Sequence, residues 1–383
     1  MARTEKLLAD LIALPSVNPA FAAQSAASAR HARNKYGEKN VADFLATIAA
    51  CAGLDVEFQP VLPGRSNVIA RLRPRGKIRQ TILLAPHLDT VNAEDAYLVP
   101  RRKDGRLHGR GACDTKGSVA AMLGALCELA EGKKRPQETE IVFVGLIDEE
   151  NAQAGSRAFA KSRFKADLAI VGEPTRLQVV TAHKGSLWLE METHGVAAHG
   201  ATPQFGRNAV HEMARIVDWL QTDYADGLKR RRKHPLLGLP TVNVGVICGG
   251  VQPNIVPDRC VITIDRRTLP GETEAGVKRE ISSFLRSKHL RAHMADKKLA
   301  PALPLETDHK LPLVQQFLRS VGQSKPVGVH FFCDAAVLSA GRIPSIVFGP
   351  GDVAQAHTVD EWISIAELER GKNLLLKFLS SLP

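Results

Sequence analysis

The 383-residue sequence has no apolar run approaching the length of a membrane span, so no helical passage through a bilayer is expected. Its first residues, Met1-Ala2-Arg3-Thr4-Glu5-Lys6, lead into an amphipathic stretch rather than the unbroken apolar segment of a secretory signal, which points to the cytoplasm. Cysteine is sparse. The six residues (51, 113, 127, 248, 260 and 333) show neither CxxC spacing nor the density of a disulfide scaffold, so reduced thiols are expected. The one dense basic run, Lys229-Arg230-Arg231-Arg232-Lys233, has no interleaved aromatics and no recognition motif, which argues against nucleic acid as a partner. The formal net charge of +11 instead suits attraction of a small carboxylate-bearing substrate. Internal repeats and low-complexity tracts are also missing.

What is present is ordinary globular composition, 44% hydrophobic and 24% charged, in a chain long enough to favour two domains. The stretch that organises it runs from Glu140 to Asn151. Residues 141–147 form an unbroken β-branched and aromatic run, as in a strand buried on both faces of a parallel sheet. That run stops at Asp148-Glu149-Glu150, three carboxylates that repel one another unless something positive sits among them. A similar apolar strand at 81–86 ends in His87-Leu88-Asp89-Thr90, and one at 166–171 ends in Gly172-Glu173-Pro174-Thr175. Helices are expected at 4–14, 41–51, 118–130 and 154–162, with strands at 55–60 and 66–72. An Ala-rich, basic stretch through Lys39 reads as a mobile surface excursion.

The pattern changes near Ser186. Residues 187–192 alternate apolar and polar, the mark of a half-exposed strand. Further strands at 241–246 and 260–265 and helices at 209–220 and 273–286 make a small α+β unit with an antiparallel sheet. A helix at 312–321, a short one at 335–339, a strand at 345–348 and a helix at 365–379 then resume the first pattern. The expected fold is α/β: a mostly parallel-sheet domain from residues 1–185 and 301–383, with an α+β domain of residues 186–300 inserted into it.

The ends of the buried strands, and the turns after them, carry potential metal ligands: His87 and Asp89, Asp114, Glu149 and Glu150, Glu173, and His357 beyond the 345–348 strand. The carboxyl ends of parallel strands share one edge of the sheet, where ligands bind. Imidazoles and carboxylates together suit a borderline divalent cation such as Zn²⁺. A shared carboxylate can hold two ions about 3.5–4 Å apart.

These residues resemble the two-zinc aminoacylase and carboxypeptidase family that contains acetylornithine deacetylase and succinyl-diaminopimelate desuccinylase. The motifs stand in order over nearly the whole chain: His87-Leu88-Asp89, Gly109-Arg110-Gly111-Ala112-Cys113-Asp114-Thr115-Lys116-Gly117, Asp148-Glu149-Glu150, Gly172-Glu173-Pro174-Thr175 and Ala356-His357-Thr358. The resemblance implies one Zn²⁺ on His87 and Glu173, another on Glu150 and His357, and Asp114 bridging them, with Co²⁺ as a possible substitute. It implies that the Asp89 carboxylate orients His87, and that Glu149 takes a proton from the attacking water and delivers it to the departing amine. Gly195-Val196-Ala197-Ala198-His199-Gly200-Ala201-Thr202-Pro203 resembles the family's lid motif, whose histidine reaches a partner subunit's site and stabilises an oxyanion; a cap on the following turn is the plainer role for His199. A homodimer through the inserted domain is then expected. Asn254 and Arg267 match positions that bind the substrate's carboxylate, Arg267 being preferred over Arg266, and Gly349 and Gly351 are expected to offer backbone N–H groups to it.

Ala182-His183-Lys184-Gly185 resembles the deacetylases, whereas desuccinylases have an arginine pair before that glycine. A histidine at 183 is a weaker, pH-dependent partner for extra carboxylates. Cys113, before Asp114, and Cys333, before Asp334, echo the deacetylase pattern, with Cys113 read as a small core residue. Thr115 departs from the family's methionine, and residues 25–39 have no clear counterpart. The expected reaction is amide hydrolysis of an N-acyl amino acid, N-acetylornithine first. Succinyl-diaminopimelate desuccinylation and a broader aminoacylase, dipeptidase or glutamate carboxypeptidase activity are the enzymatic alternatives. An inactive metal-binding scaffold is the non-enzymatic one; loss of a ligand or of Glu149 would mark it, and none is lost.

Overall fold

The computed structural model describes residues 2–24, 35–132, 134–295 and 302–383. Most of the stretch expected to be a surface excursion, residues 25–34, lies outside them. The chain divides into two compact units: Met1–Thr181 with Thr307–Val327 and Cys333–Pro383, and Ala182–Glu306 with Gly328–Phe332. The sequence boundaries at 185/186 and 300/301 therefore both fall inside the second unit.

The first unit is built on a mixed sheet. Four parallel strands, Thr139–Gly145, Gln80–Pro86, Leu168–Gly172 and Ser345–Val347, lie side by side in that order. Antiparallel strands Arg65–Leu72 and Asp55–Leu62 extend one side. Every residue of Thr139–Gly145 and Leu168–Gly172 is buried, which is why these strands read as continuous apolar runs rather than alternating ones. The helix Lys116–Glu131 is buried over most of its circumference, and its Ala, Met and Leu side chains join a core with Leu8, Leu11, Ile141, Phe143, Phe317 and Phe378. A three-stranded sheet of Arg101–Lys103, Arg106–His108 and Trp362–Ser364 escapes the sequence reading, because its strands are too short to show periodicity.

The second unit has an antiparallel sheet in the order Thr241–Gly249, Arg259–Thr268, Gly185–His194, His293–Ala295. Burial alternates along Arg259–Thr268. One face packs Leu189, Met191, Ile262 and Ile264 against Met213 and Ile216 of helix Ala209–Trp219 and Val277 and Ile281 of helix Glu274–Ser287. The helix expected at 209–220 runs on through a wider turn, Leu220–Tyr224, and a last helical segment, Ala225–Lys229. Among the described residues, no helix is long and apolar enough to cross a membrane.

Candidate metal centre and active site

Parallel strands all point their carboxyl ends the same way, so residues following them meet at one edge. His87 comes directly after Gln80–Pro86 and pairs with Leu146, beyond the end of Thr139–Gly145. Glu173 follows Leu168–Gly172 directly. Asp114 sits just before helix Lys116–Glu131, and His357 lies on the loop beyond Ser345–Val347 with a left-handed φ of 61°.

The structure brings His87, Asp114 and Glu173 into one cluster and Asp114, Glu150 and His357 into a second, the ligand atoms within each lying within 4.8 Å of one another. Asp114 belongs to both. Its Oδ1 is 3.1 Å from His87 Nε2 and its Oδ2 is 3.4 Å from His357 Nε2. His87 Nε2 is 3.9 Å from Glu173 Oε1, and His357 Nε2 is 3.1 Å from Glu150 Oε2. One carboxylate thus faces an imidazole with each oxygen.

The electrostatics show what this grouping costs. Burial, opposed by His87 and reinforced by the neighbouring carboxylates, pushes the pKa of Glu149 and of Glu173 well above the usual range. Burial and Asp114 raise Glu150 as well. His87 is pulled down by burial, but hydrogen bonds with Asp114 and Asp89 and the charges of Glu173 and Glu149 outweigh this and hold it well above its ordinary value. Hydrogen bonds to Asp114 and Glu150 raise His357 to about 10. Glu150 Oε1 is buried with no hydrogen-bond partner among the described residues. Buried carboxylates stay ionised only when paired or ligating. The unpartnered oxygen, the crowded acids and the two imidazoles at their edge fit a pair of divalent cations, each offered one nitrogen and several oxygens.

The turn carrying Glu149 and Glu150 is held from behind. Asp148, which opens the turn, adopts a left-handed φ of 68°. Asp89 Oδ1 accepts the N–H of Glu149 at 3.0 Å, and its Oδ2 accepts that of Glu150 at 3.1 Å. Asn18 Nδ2 donates to both Asp89 Oδ2 and Asp148 Oδ1. Arg65 pairs with Glu38 and reaches Asp148 at 3.2 Å, while Glu38 accepts the Asp148 N–H. The Asp89 carboxylate is therefore spent mainly on the turn. His87 Nδ1 lies 3.0 Å from the backbone carbonyl of Asp89 and 3.5 Å from its carboxylate, so both acceptors of that residue face the ring. The carboxylate expected to orient the ring faces it as well, and, against the opposing effect of burial, its pKa is lowered by that contact. Asn18, Glu38 and Arg65 escaped the sequence reading because they lie 71, 110 and, for Arg65 to Glu38, 27 residues from their partners, with no local pattern.

Two expectations are corrected. Gly349 and Gly351 do not offer free amides: Gly349 N–H donates to Thr175 Oγ1 at 3.1 Å and Gly351 N–H to Glu367 Oε1 at 3.2 Å, and both residues are buried. His183 is not a pH-dependent partner for a substrate carboxylate. It is fully buried, its Nδ1 bonds the Lys184 carbonyl at 2.9 Å, and burial lowers its pKa to about 4, so it stays neutral.

In the second unit, Arg266 is wholly buried against Glu272, with its Nη2 at 2.6 Å from Oε1. Arg267 is part-exposed and pairs with Asp265 at 3.0 Å. Asn254 is exposed in the turn after Thr241–Gly249. His199 is exposed too, and its Nδ1 accepts the Ala201 N–H at 3.1 Å, a turn-capping bond. Cys113 is buried, donates its S–H to the Asp352 carbonyl at 3.3 Å, and has its pKa driven up by burial and by Glu361 and Asp114, as a core thiol would.

Residues 83–381 match the family model described as peptidase family M20/M25/M40. Acetylornithine deacetylase of Proteus mirabilis (strain HI4320) is 31% identical over 394 residues, spanning 97% of this chain and 94% of that protein. Among solved structures, aminopeptidase PepT of Bacillus cereus ATCC 10987 aligns with a TM-score of 0.77 at 22% identity, covering 99% of this chain and 97% of that chain. A dinuclear metal binding peptidase from the M20 family of Bacillus subtilis aligns with a TM-score of 0.70 at 13% identity over the same shares. At such identities the structures speak for the fold alone.

Proposed function

This chain belongs to peptidase family M20/M25/M40, a family of metal-dependent hydrolases, and from that premise we propose that it is a two-zinc amidohydrolase that removes a short acyl group from an N-acyl amino acid, N-acetylornithine first. The observation that carries the reading is Asp114, whose two oxygens face His87 and His357 at the meeting of two ligand clusters. His87 and Glu173 would hold one cation, Glu150 and His357 the other, with Asp114 common to both. Bound there, two divalent cations supply Lewis acidity toward the scissile carbonyl and make water acidic enough to ionise near neutral pH.

The chain's own groups do the rest. Glu149 stands unattached to either cluster, on the turn beside Glu150, with its pKa raised by burial among carboxylates. A carboxylate so raised is suited to take a proton from the attacking water and return it to the leaving amine. Asp89 fixes that turn through both backbone N–H groups. Arg267 and Asn254 would recognise the substrate's carboxylate, and His199, contributed by the second subunit of a homodimer, would donate to the developing oxyanion. A buried, neutral His183 leaves no extra cation at position 183 for a succinyl carboxylate, which favours an acetyl group. In the cytoplasm, the compartment this reading proposes, the product ornithine would enter arginine synthesis.

The test pairs metal analysis with a substrate panel. Protein purified with and without chelator is assayed on N-acetylornithine, N-succinyl-diaminopimelate and dipeptides. Two metal equivalents with preferred turnover of N-acetylornithine support the proposal. A protein that holds two metals yet cleaves no acyl amino acid or dipeptide is a scaffold, and faster desuccinylation would reassign the acyl group.

A further inference from the structure

Glu361 has no part in the ligand set, yet its buried carboxylate accepts four hydrogen bonds beside it. Its side chain is 1% exposed. Oε1 accepts the backbone N–H groups of Cys113 at 2.8 Å and Asp114 at 2.9 Å. Oε2 accepts the Gly111 N–H at 2.9 Å and Arg110 Nη1 at 2.8 Å. Neutralising Arg110 would need only the last of these. Three backbone donors from one short loop turning onto a single carboxylate form a concave anion cradle, with the anion supplied from within the chain. The left-handed φ of 82° at Gly111 makes the turn possible, and a Cβ there would meet Lys116 Cδ at 2.9 Å.

The same contact extends to the loop that carries His357. Arg110 Nη2 donates to the carbonyl of Thr358, the residue after His357, at 3.0 Å, and Gly109 N–H donates to the Glu361 carbonyl at 3.0 Å. Segments 109–114 and 357–361 are thereby joined at one carboxylate. One carries the shared ligand and the other carries His357. Polar partners behind ligating groups typically matter about 10–100-fold for metal affinity.

We propose that Glu361 is a positioning residue for the metal pair, clamping the Asp114 backbone and the His357 loop together so that the two oxygens of Asp114 face the two imidazoles. The inference rests on the two-metal reading above. In Glu361→Gln one oxygen is replaced by an NH₂ group that confronts two donors, while size and shape are kept.

The experiment is a Zn²⁺ titration of metal-free protein by calorimetry, with Co²⁺ absorption as a second readout, on wild type, Glu361→Gln, Arg110→Met and Glu5→Gln. Glu5 is also buried and charge-paired, with Arg102, so its variant controls for general destabilisation. Glu361→Gln is expected to bind Zn²⁺ about 10–100-fold more weakly and to change the Co²⁺ spectrum, with Glu5→Gln unaltered in both. Arg110→Met, which loses only the guanidinium contacts, is expected to weaken the second equivalent more than the first, and it carries the test if Glu361→Gln fails to fold. Wild-type affinity and spectrum in Glu361→Gln, or in Arg110→Met where it alone folds, overturn the inference, as does equal weakening in Glu5→Gln. Failure of the wild type itself to bind two Zn²⁺ would instead overturn the two-metal reading.

Discussion

Replacing Asp89 by asparagine attacks the turn that carries Glu149 and Glu150 without changing its shape. The carboxylate, wholly buried, accepts three hydrogen bonds: Asn18 Nδ2 at 2.7 Å and Glu150 N–H at 3.1 Å on Oδ2, and Glu149 N–H at 3.0 Å on Oδ1. Asparagine offers one acceptor oxygen. Its better rotamer keeps the Oδ2 pair and turns NH₂ toward the Glu149 N–H, leaving one buried donor unsatisfied. That costs about 1–3 kcal/mol, and the loss of ionic character in the two bonds that remain brings the expected destabilisation to about 2–4 kcal/mol. Asp89→Ala strands all three donors and should be the less stable of the two variants. Urea unfolding of the metal-free proteins measures this ordering. Turnover in Asp89→Asn should fall about 10–100-fold, because Glu149 loses its anchor. Equal stability of the asparagine and alanine variants, or wild-type turnover in Asp89→Asn, would refute the role assigned to the turn.

Three other outcomes are expected. Glu149→Gln should retain two metal equivalents while turnover drops about 10²–10⁴-fold, and metal loss in that variant would move Glu149 into the ligand set. His199→Ala should lower kcat about 10²–10³-fold with KM little changed; unaltered kcat would leave the Ala201 capping bond as that residue's whole role. His183 titrates at about 4 in the folded protein against an ordinary 6.5, so the unfolded chain binds more protons between those values. Its contribution to stability is complete above pH 6.5 and is lost as pH falls toward 4, by about 3 kcal/mol in all, a gap of roughly 2.5 on the pH scale. Unfolding midpoints across that range should therefore fall more steeply for wild type than for His183→Asn, and parallel curves would contradict this.

How much of the protein was legible beforehand follows from where its information is stored. Periodicity is local, so the buried strands at 81–86 and 141–147, the helix from Pro312 to Val321 and the alternating strands of the second unit could all be read from neighbouring residues. Strand direction then carries a little further. Once the strands are parallel, His87, Glu150 and Glu173 must gather at one edge, and the identities of the chemically capable residues were legible on that ground. The three-stranded sheet was not, because three-residue strands hold too little pattern.

Hydrogen-bond partnership has no period at all. Glu361 lies 247 residues from the Asp114 amide it accepts, and nothing in the acidic His357–Glu361 segment announces that partner. Gly349 and Gly351 look available in the sequence because glycine amides are unhindered; only packing shows them already bonded to Thr175 and Glu367. Asp89 reads as a histidine's companion from its spacing; the fold adds that the same carboxylate holds the Glu149 turn. The sequence by itself determined which residues could do the chemistry and which strand ends would present them. Tertiary structure decided which donors and acceptors remained free, because each buried polar group must find a partner and that partner is chosen by proximity in space.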